Sequence, residues 1–224
     1  MPHITHLTTE EVKKRFDSDS AAKNYSKHAD TWSDRFEKAH IGRLLKNYGK
    51  GSLVLDLPCG TGRMIPFLRS HGFRVVAADA SPFMVGTAKE FVSNQGCPVK
   101  DTELVIADAL NTNFVDDTFD IILCNRLFHH LTMTEDRRKV LKELKRITNK
   151  TIILSFFCSS TWHGLMFNVK NFISGRKPRD RIPITLSTIL SDIEHAGLRI
   201  KVFSPVIPFI SKQCYLVLEK QSNE

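Results

Sequence analysis

Cysteine is scarce in this chain of 224 residues: Cys59, Cys97, Cys124, Cys158 and Cys214, an odd number, with no two in a CxxC pair. That spacing excludes a disulfide framework and a thiolate zinc site, and it sets a reducing, cytoplasmic compartment as the expectation. Long apolar runs are missing as well; no stretch approaches the roughly 20 residues that span a bilayer. The opening residues Met1-Pro2-His3-Ile4-Thr5-His6 lack the charged-then-apolar pattern of a secretory leader. Internal repeats and low-complexity segments are absent, and the acids are spread out rather than clustered as ligands, so no metal is expected. What remains is ordinary for one globular domain with a full core, 42% apolar and 25% charged. Positive charge is in surplus, 32 Lys and Arg against 24 Asp and Glu, for a net +8. An excess of this sign suits phosphate, a phospholipid surface or nucleic acid without choosing among them. Much of it is dispersed on helix-like stretches such as 137–146, where a solvated face accounts for it.

Against that background one stretch stands out. Leu53-Val54-Leu55-Asp56-Leu57-Pro58-Cys59-Gly60-Thr61-Gly62-Arg63 is an apolar run, an acid and a glycine turn, with a helix-like segment behind it. Glycine there admits a close backbone approach to a ligand. Phe73 to Asp79 is a second strand-like run ending in an acid, 23 residues after Asp56, where an acid can accept the two hydroxyls of a ribose. Leu104 to Asp108 and Phe119 to Asn125 repeat the arrangement. Four strands that each deliver a polar residue at the carboxyl end predict one ligand crevice in an open α/β sheet.

At these residues the chain resembles a family. Leu55 to Gly62, Ala78-Asp79-Ala80-Ser81-Pro82-Phe83-Met84, Ala107-Asp108-Ala109 with Phe119-Asp120, and Cys124-Asn125-Arg126-Leu127-Phe128-His129-His130-Leu131 resemble the successive motifs of class I S-adenosylmethionine-dependent methyltransferases, in their small-molecule branch. The resemblance covers roughly residues 50–155. Where that family often carries Pro-Gly-Gly before the fifth strand, this chain has Arg146-Ile147-Thr148-Asn149-Lys150. The resemblance implies S-adenosylmethionine as cofactor. Its contacts would fall on Tyr25, Asp56, Pro58, Cys59, Gly60, Thr61, Gly62, Asp79, Ala80, Met84, Asp108, Ala109 and Asn125.

Strand-like runs at 53–57, 74–78, 103–107, 120–124 and 151–157 alternate with helical patterns at 62–70, 82–94 and 134–147, which predicts right-handed crossovers and a parallel sheet. The runs 198–203 and 214–218 lie too close for a helical crossover and should pair antiparallel. The expected fold is a doubly wound, mostly parallel, seven-stranded Rossmann-like sheet with an antiparallel C-terminal hairpin. Thr134-Glu135-Asp136 reads as the cap of the helix over 134–147, and Val140, Leu141, Leu144 and Ile147 as its buried stripe.

Residues 1–48 read as a separate helical lid on a domain spanning 49–224. Thr8 caps its first helix, and Trp32, Phe36, Ala39 and Leu44 recur at near-helical spacing in the second. Tyr25 and His28 fall in the break between the two pieces. Residues 158–184 read as an insertion. Within it Trp162, Leu165, Met166, Val169, Phe172 and Ile173 form one helical stripe, stopped by Gly175 and followed by Arg176-Lys177-Pro178-Arg179-Asp180-Arg181. The segment is expected to cover an acceptor pocket, its stripe facing that pocket or a membrane, with Arg176, Arg179 and Arg181 on an acceptor phosphate or carboxylate.

The expected reaction is O- or N-methylation of a small, anionic or lipid-like acceptor. His130, and next His129, are the base candidates because imidazole titrates near neutral pH; His163 on the insertion is weaker. A nucleic-acid methyltransferase would suit the charge, but a Pro-Pro-Tyr or Pro-Pro-Phe element is missing after the fourth strand. A non-catalytic S-adenosylmethionine-binding protein is the other alternative, and the intact glycine turn with its acids argues against it.

Overall fold

The computed structural model describes residues 8–26, 31–96, 102–173 and 181–221. Five strands are parallel: β1 (Leu53–Asp56), β2 (Arg74–Asp79), β3 (Thr102–Ile106), β4 (Phe119–Cys124) and β5 (Thr148–Phe157). Two further strands, β6 (Leu198–Pro205) and β7 (Gln213–Lys220), pair antiparallel with each other, and β7 pairs antiparallel with β5. The seven strands lie in the order β3-β2-β1-β4-β5-β7-β6. The chain therefore runs outward from β1 to β3, crosses back to β4, and continues the other way. Where the direction reverses, between β1 and β4, the connections diverge and leave a crevice beyond the strand carboxyl ends.

Eight helices accompany the sheet among the described residues: α1 (Thr9–Phe16), α2 (Asp19–Ser26), α3 (Trp32–Leu45), α4 (Ile65–Ser70), α5 (Pro82–Asn94), α6 (Thr134–Ile147), α7 (Trp162–Ile173) and α8 (Leu186–His195). The sheet is covered on both faces, which explains why its central strands are apolar without alternation. Val54, on one face of β1, packs with Ile41, Leu45, Ile65, Leu68 and Ala88 from α3, α4 and α5. Its neighbour Leu55, on the other face, packs with Val140, Leu141, Leu144 and Ile193 from α6 and α8. The expected stripe of α6 is fully buried. Among the described residues, no helix is long and apolar enough to cross a membrane.

Several local expectations are corrected. Thr134 does not cap α6; Met133 holds that position without a side-chain bond, while Asp136 accepts from Thr9 and Thr134 Oγ1 accepts from Arg137. The helix after the glycine turn begins at Ile65 rather than Gly62, because residues 57–64 are taken up by a turn that closes over the strand ends. Strand β5 starts at Thr148, three residues early, since Thr148 pairs with Phe119 where the family turn would stand.

The N-terminal region divides. A reciprocal Thr8–Glu11 capping box starts α1, as the sequence predicts. Helix α3 is no part of a lid; Ile41 and Leu45 belong to the same buried layer as β1. Its expected apolar face is also corrected: Trp32 and Phe36 are exposed, at 76% and 61%, and the inner face carries Asp34, Glu37 and His40 instead.

Gly62 has φ +80°, and an added Cβ would lie 3.0 Å from Ala88 Cβ and 3.2 Å from its Cα. Both helix packing and backbone conformation therefore demand glycine. Gly62→Ala is expected to destabilise the fold by at least about 1–2 kcal/mol from the left-handed backbone alone, read as a lower denaturation midpoint at unchanged slope.

Candidate functional site

Beyond the carboxyl ends of β1, β2, β3 and β4 lies a cavity of about 340 Å³, within the size range of small-ligand sites. Its floor starts at Asp56, the last residue of β1, 1% exposed, whose Oδ2 has no hydrogen-bond partner among the described residues. Burial, and then the nearby charges of Asp79 and Glu37, push the Asp56 carboxyl well above its ordinary range. The turn after it is pinned by two amides: Leu57 donates to Leu123 O at 3.0 Å and Cys59 to Ala78 O at 2.8 Å. Gly60, at φ +53°, turns its amide onto Asp79 Oδ2 at 2.9 Å.

Asp79 ends β2 and takes a second amide, from Ser81, on Oδ1 at 3.0 Å. Burial raises its carboxyl, and the amides of Ser81, Gly60 and Ala80 pull it back. Three nearby amides do not exhaust the roughly four acceptor sites of a carboxylate, which leaves capacity for a ligand hydroxyl. Ser81 also caps α5, accepting from Met84 N at 3.3 Å. After β3, Asp108 accepts from Leu110 N at 3.0 Å and from Lys13 Nζ at 2.6 Å.

A single 3-10 turn, Phe128–His130, follows β4 and divides the histidine pair. His130 lines the cavity; its ring lies edge-on to Phe16 at 5.3 Å and 4.3 Å from His129. His129 does not line it. That ring stacks on Phe157 at 3.9 Å, and burial, then His130, Arg181, Arg126 and Lys212, hold its pKa well below the usual imidazole value.

Helix α1 roofs the cavity with Thr9, Val12, Lys13 and Phe16. It is tied down by the Lys13–Asp108 ion pair, the Thr9–Asp136 bond, and the Ser81 hydroxyl 3.2 Å from Phe16 O. Beside the cavity stands a buried polar cluster centred on Glu37 of α3. Its carboxylate receives Arg126 Nε at 3.0 Å and a second Arg126 nitrogen at 2.6 Å, Asn125 Nδ2 at 3.1 Å, Gln213 Nε2 at 2.6 Å and Tyr215 OH at 2.9 Å; Arg63 lies 2.8 Å from it. Asn125 Oδ1 accepts from Ser155 Oγ at 2.8 Å. Burial, then the Glu37 carboxylate, holds the Tyr215 phenol well above its ordinary range, so it stays a protonated donor.

Residues 54–151, most of the parallel sheet and the whole set of strand-end acids, match the model of a methyltransferase domain family. Over these residues the chain resembles a class I S-adenosylmethionine-dependent methyltransferase domain. It is 30% identical over 125 residues to human "Probable tRNA methyltransferase 9B", covering 55% of this chain and 25% of that protein. It is 36% identical over 98 residues to demethylmenaquinone methyltransferase of Thermobifida fusca, covering 44% and 39%. The chain thus spans a quarter to two fifths of these relatives' lengths. The fold is shared with magnesium protoporphyrin IX methyltransferase of Synechocystis, solved with bound S-adenosylhomocysteine, at a TM-score of 0.75 and 19% identity over 94% of this chain and 98% of that one.

In the methyltransferase domain the cavity gathers Asp56, Pro58, Cys59, Gly60, Asp79, Ala80, Met84, Asp108, Ala109 and Asn125, ten of the residues singled out by sequence. It does not gather Thr61 and Gly62, which point into the packing beneath the turn; Gly62 meets α5 and Thr61 is 4% exposed. His163 is exposed on α7 and Arg181 is exposed beyond it; neither lines the cavity. Arg176, Arg179, His28 and Gly175 lie outside the described residues, as does the Tyr25 side chain. Cys59 and Cys124 are buried, and burial first, with Asp56 second, raises both thiols, so neither is a thiolate.

Sequence reasoning missed Lys13, Arg63, Arg126 and Glu37. Arg63 and Arg126 follow directly on the first and fourth strand-end motifs, a signal that was available; Glu37 and Lys13 carry none, since their partners lie 88 and 95 positions away. Glu37→Ala removes a buried carboxylate shared by Arg126 and Arg63, although Arg63 keeps its ion pair with Asp34. It is expected to cost about 3–5 kcal/mol, the range for breaking a buried pair, measured by chemical denaturation.

Proposed function

We propose that this protein binds S-adenosylmethionine in the crevice and transfers its methyl group to a small, anionic or lipid-like acceptor. The observation that carries the reading is Asp56 Oδ2: a carboxylate oxygen buried at the cavity floor without a partner, which a ligand ammonium would satisfy. Asp79 suits a ribose, since its carboxylate keeps acceptor capacity for a hydroxyl, and Asp108 faces the place an adenine amine would take. When bound, the cofactor supplies an electrophilic methyl carbon on a sulfonium. The chain supplies position and dryness. The Gly60 turn and the α1 roof enclose the ligand, which accounts for the larger part of such catalysis. His130, on the cavity wall, is placed to take the acceptor's proton, and His129, buried and neutral against Phe157, backs it as a fixed wall.

A second reading has its own support. Some relatives are named for tRNA, and the chain carries a net +8. Methyl transfer to tRNA that outpaces transfer to a metabolite and lipid panel would establish that reading and overturn the first.

Three outcomes test the first reading. Calorimetry should show cofactor binding that Asp79→Ala weakens by about 1.5–3 kcal/mol, the worth of hydrogen bonds to a charged group; no binding by the wild type at millimolar ligand would overturn it. Affinity should also depend on pH. The free carboxyl of Asp56 is raised, and pairing with an ammonium needs the ionised form. Binding is therefore complete above that raised pKa and fades as pH falls through it. Asp56→Asn should abolish both the dependence and the binding, while raising the melting temperature of the ligand-free protein at neutral pH. His130→Ala should lower kcat by about 10²–10⁴-fold and remove the acidic limb of the pH–rate profile; an unchanged profile would exclude His130 as the base.

A further inference from the structure

Helix α7 is welded at its start and bare along its length. Thr161 Oγ1 donates to Cys158 O at 3.1 Å, and the amides of Trp162 and His163 donate to Phe209 O at 2.8 Å and Ile210 O at 3.1 Å. Gly164 presses so closely on the end of β5 that an added Cβ would lie 2.2 Å from Cys158 O. The helix and the β6–β7 loop therefore form one platform.

The inner side of α7 carries Gly164 and Phe167, with Lys212 Nζ 5.1 Å above the Phe167 ring. On the opposite side, within an arc of about 100° at 100° per residue, stand Trp162, Leu165, Met166, Val169 and Ile173. All are exposed, Trp162 at 59% and Ile173 at 78%. Beside them the loop presents Ile207, Ile210 and Phe209; Phe209 is 86% exposed and held at φ +61°, a costly conformation for a bulky residue. None of these residues lines the cavity.

In the sequence, the segments that carry this apolar surface have charge mostly of one sign. Over residues 158–191 the sequence carries five Lys and Arg against Asp180 alone, and over 205–214 it carries Lys212 and no acid. Lys170 and Arg181 are exposed. A second copy of the chain would set this surface against itself and bring like charges together. An occupant must instead be apolar in depth and anionic at its rim.

We propose that the α7 stripe and the 207–210 loop dock this protein on the surface of an anionic lipid bilayer, with Trp162, Ile173 and Phe209 entering the headgroup–acyl boundary and the surrounding cations meeting lipid phosphate. Tryptophan and flanking cations are the side chains that this boundary favours. The inference is independent of which acceptor is methylated.

The test uses the full chain with Trp32→Phe, at an exposed position of α3, so that Trp162 is the sole tryptophan. Flotation with vesicles of phosphatidylglycerol and phosphatidylcholine should carry the protein up and shift Trp162 emission to shorter wavelength. Pure phosphatidylcholine should do so far less, and added salt should weaken the effect. Leu165→Ser with Val169→Ser and Ile173→Ser, all on the exposed stripe, should cut partitioning at least tenfold while leaving the melting curve and cofactor affinity unchanged. No flotation at low salt, flotation that the serine variant keeps, or a dimer that the same variant disperses would each overturn the proposal.

Discussion

One buried carboxylate decides how the carboxyl edge of this sheet can be built. The chain sends Arg63 from the turn after β1, Arg126 and Asn125 from the end of β4, and Gln213 and Tyr215 from β7 toward one region, and every one of them offers donors. Arg63 also meets Asp34 and the Tyr215 hydroxyl also meets Asn125 Oδ1, but among the described bonds only Glu37 joins all five residues. Glu37 answers all of them. Because it stands on α3, it also fixes that helix against the sheet, and with it Ile41 and Leu45 in the apolar layer below. The half of the crevice toward β4, β5 and β7 owes its shape to this cluster. A fully satisfied polar network of this kind holds its members in one geometry.

The opposite half is built on acids and left short of cations. Asp56 and Asp79 are both pushed above their ordinary pKa by burial, and the Asp79 charge raises Asp56 further. The glycine turn supplies amides to Asp79 and none of the described bonds to Asp56 Oδ2. Stability would favour an amide or an apolar side chain at Asp56. A buried, partnerless carboxylate is a local cost that a ligand of opposite charge removes, and that pattern marks a binding site more than a framework. The match to a methyltransferase domain over residues 54–151 includes all of these acids.

The strand ends were legible in sequence because the central parallel strands are buried on both faces, and the edge strand β3 still carries the apolar run Leu104–Ile106. Continuous apolar runs announce them, and the first polar residue after each run has to emerge at the crevice. Asp56, Asp79, Asp108 and Asn125 follow from that alone. The glycine turn was legible in kind but not residue by residue: Gly60 faces the cavity while Gly62 serves helix packing, and spacing does not distinguish the two demands. The histidine pair was ambiguous for a similar reason, since a 3-10 turn sends neighbours to different sides. Helix α3 was misread because its inner face is polar. Hydrophobic periodicity assigns Trp32 and Phe36 inward, whereas Glu37 and Asp34 are drawn in by arginines distant in sequence. On α7 the described members of the stripe, Trp162, Leu165, Met166, Val169 and Ile173, share one exposed face and line no part of the cavity; periodicity finds an apolar face without naming what lies against it.

The two N-terminal helices that flank the crevice are held by different physics. Helix α3 is fixed by fully buried aliphatic side chains and by the Glu37 cluster, and moving it would expose both. Helix α1 buries chiefly Val12 and Thr9, and its ties are local. The Lys13–Asp108 pair has its side chains 26% and 37% exposed, in the class of ion pairs worth about 0–1 kcal/mol. The Thr9–Asp136 and Ser81–Phe16 bonds add on the order of 1 kcal/mol each. Lifting α1 thus costs a small part of a domain's stability of about 5–15 kcal/mol, while lifting α3 would consume much of it. Low local stability over a ligand cavity is the condition for entry and exit without unfolding. The same contrast explains why a carboxylate that meets Lys13 can also be a ligand contact: the lysine is held weakly enough to yield.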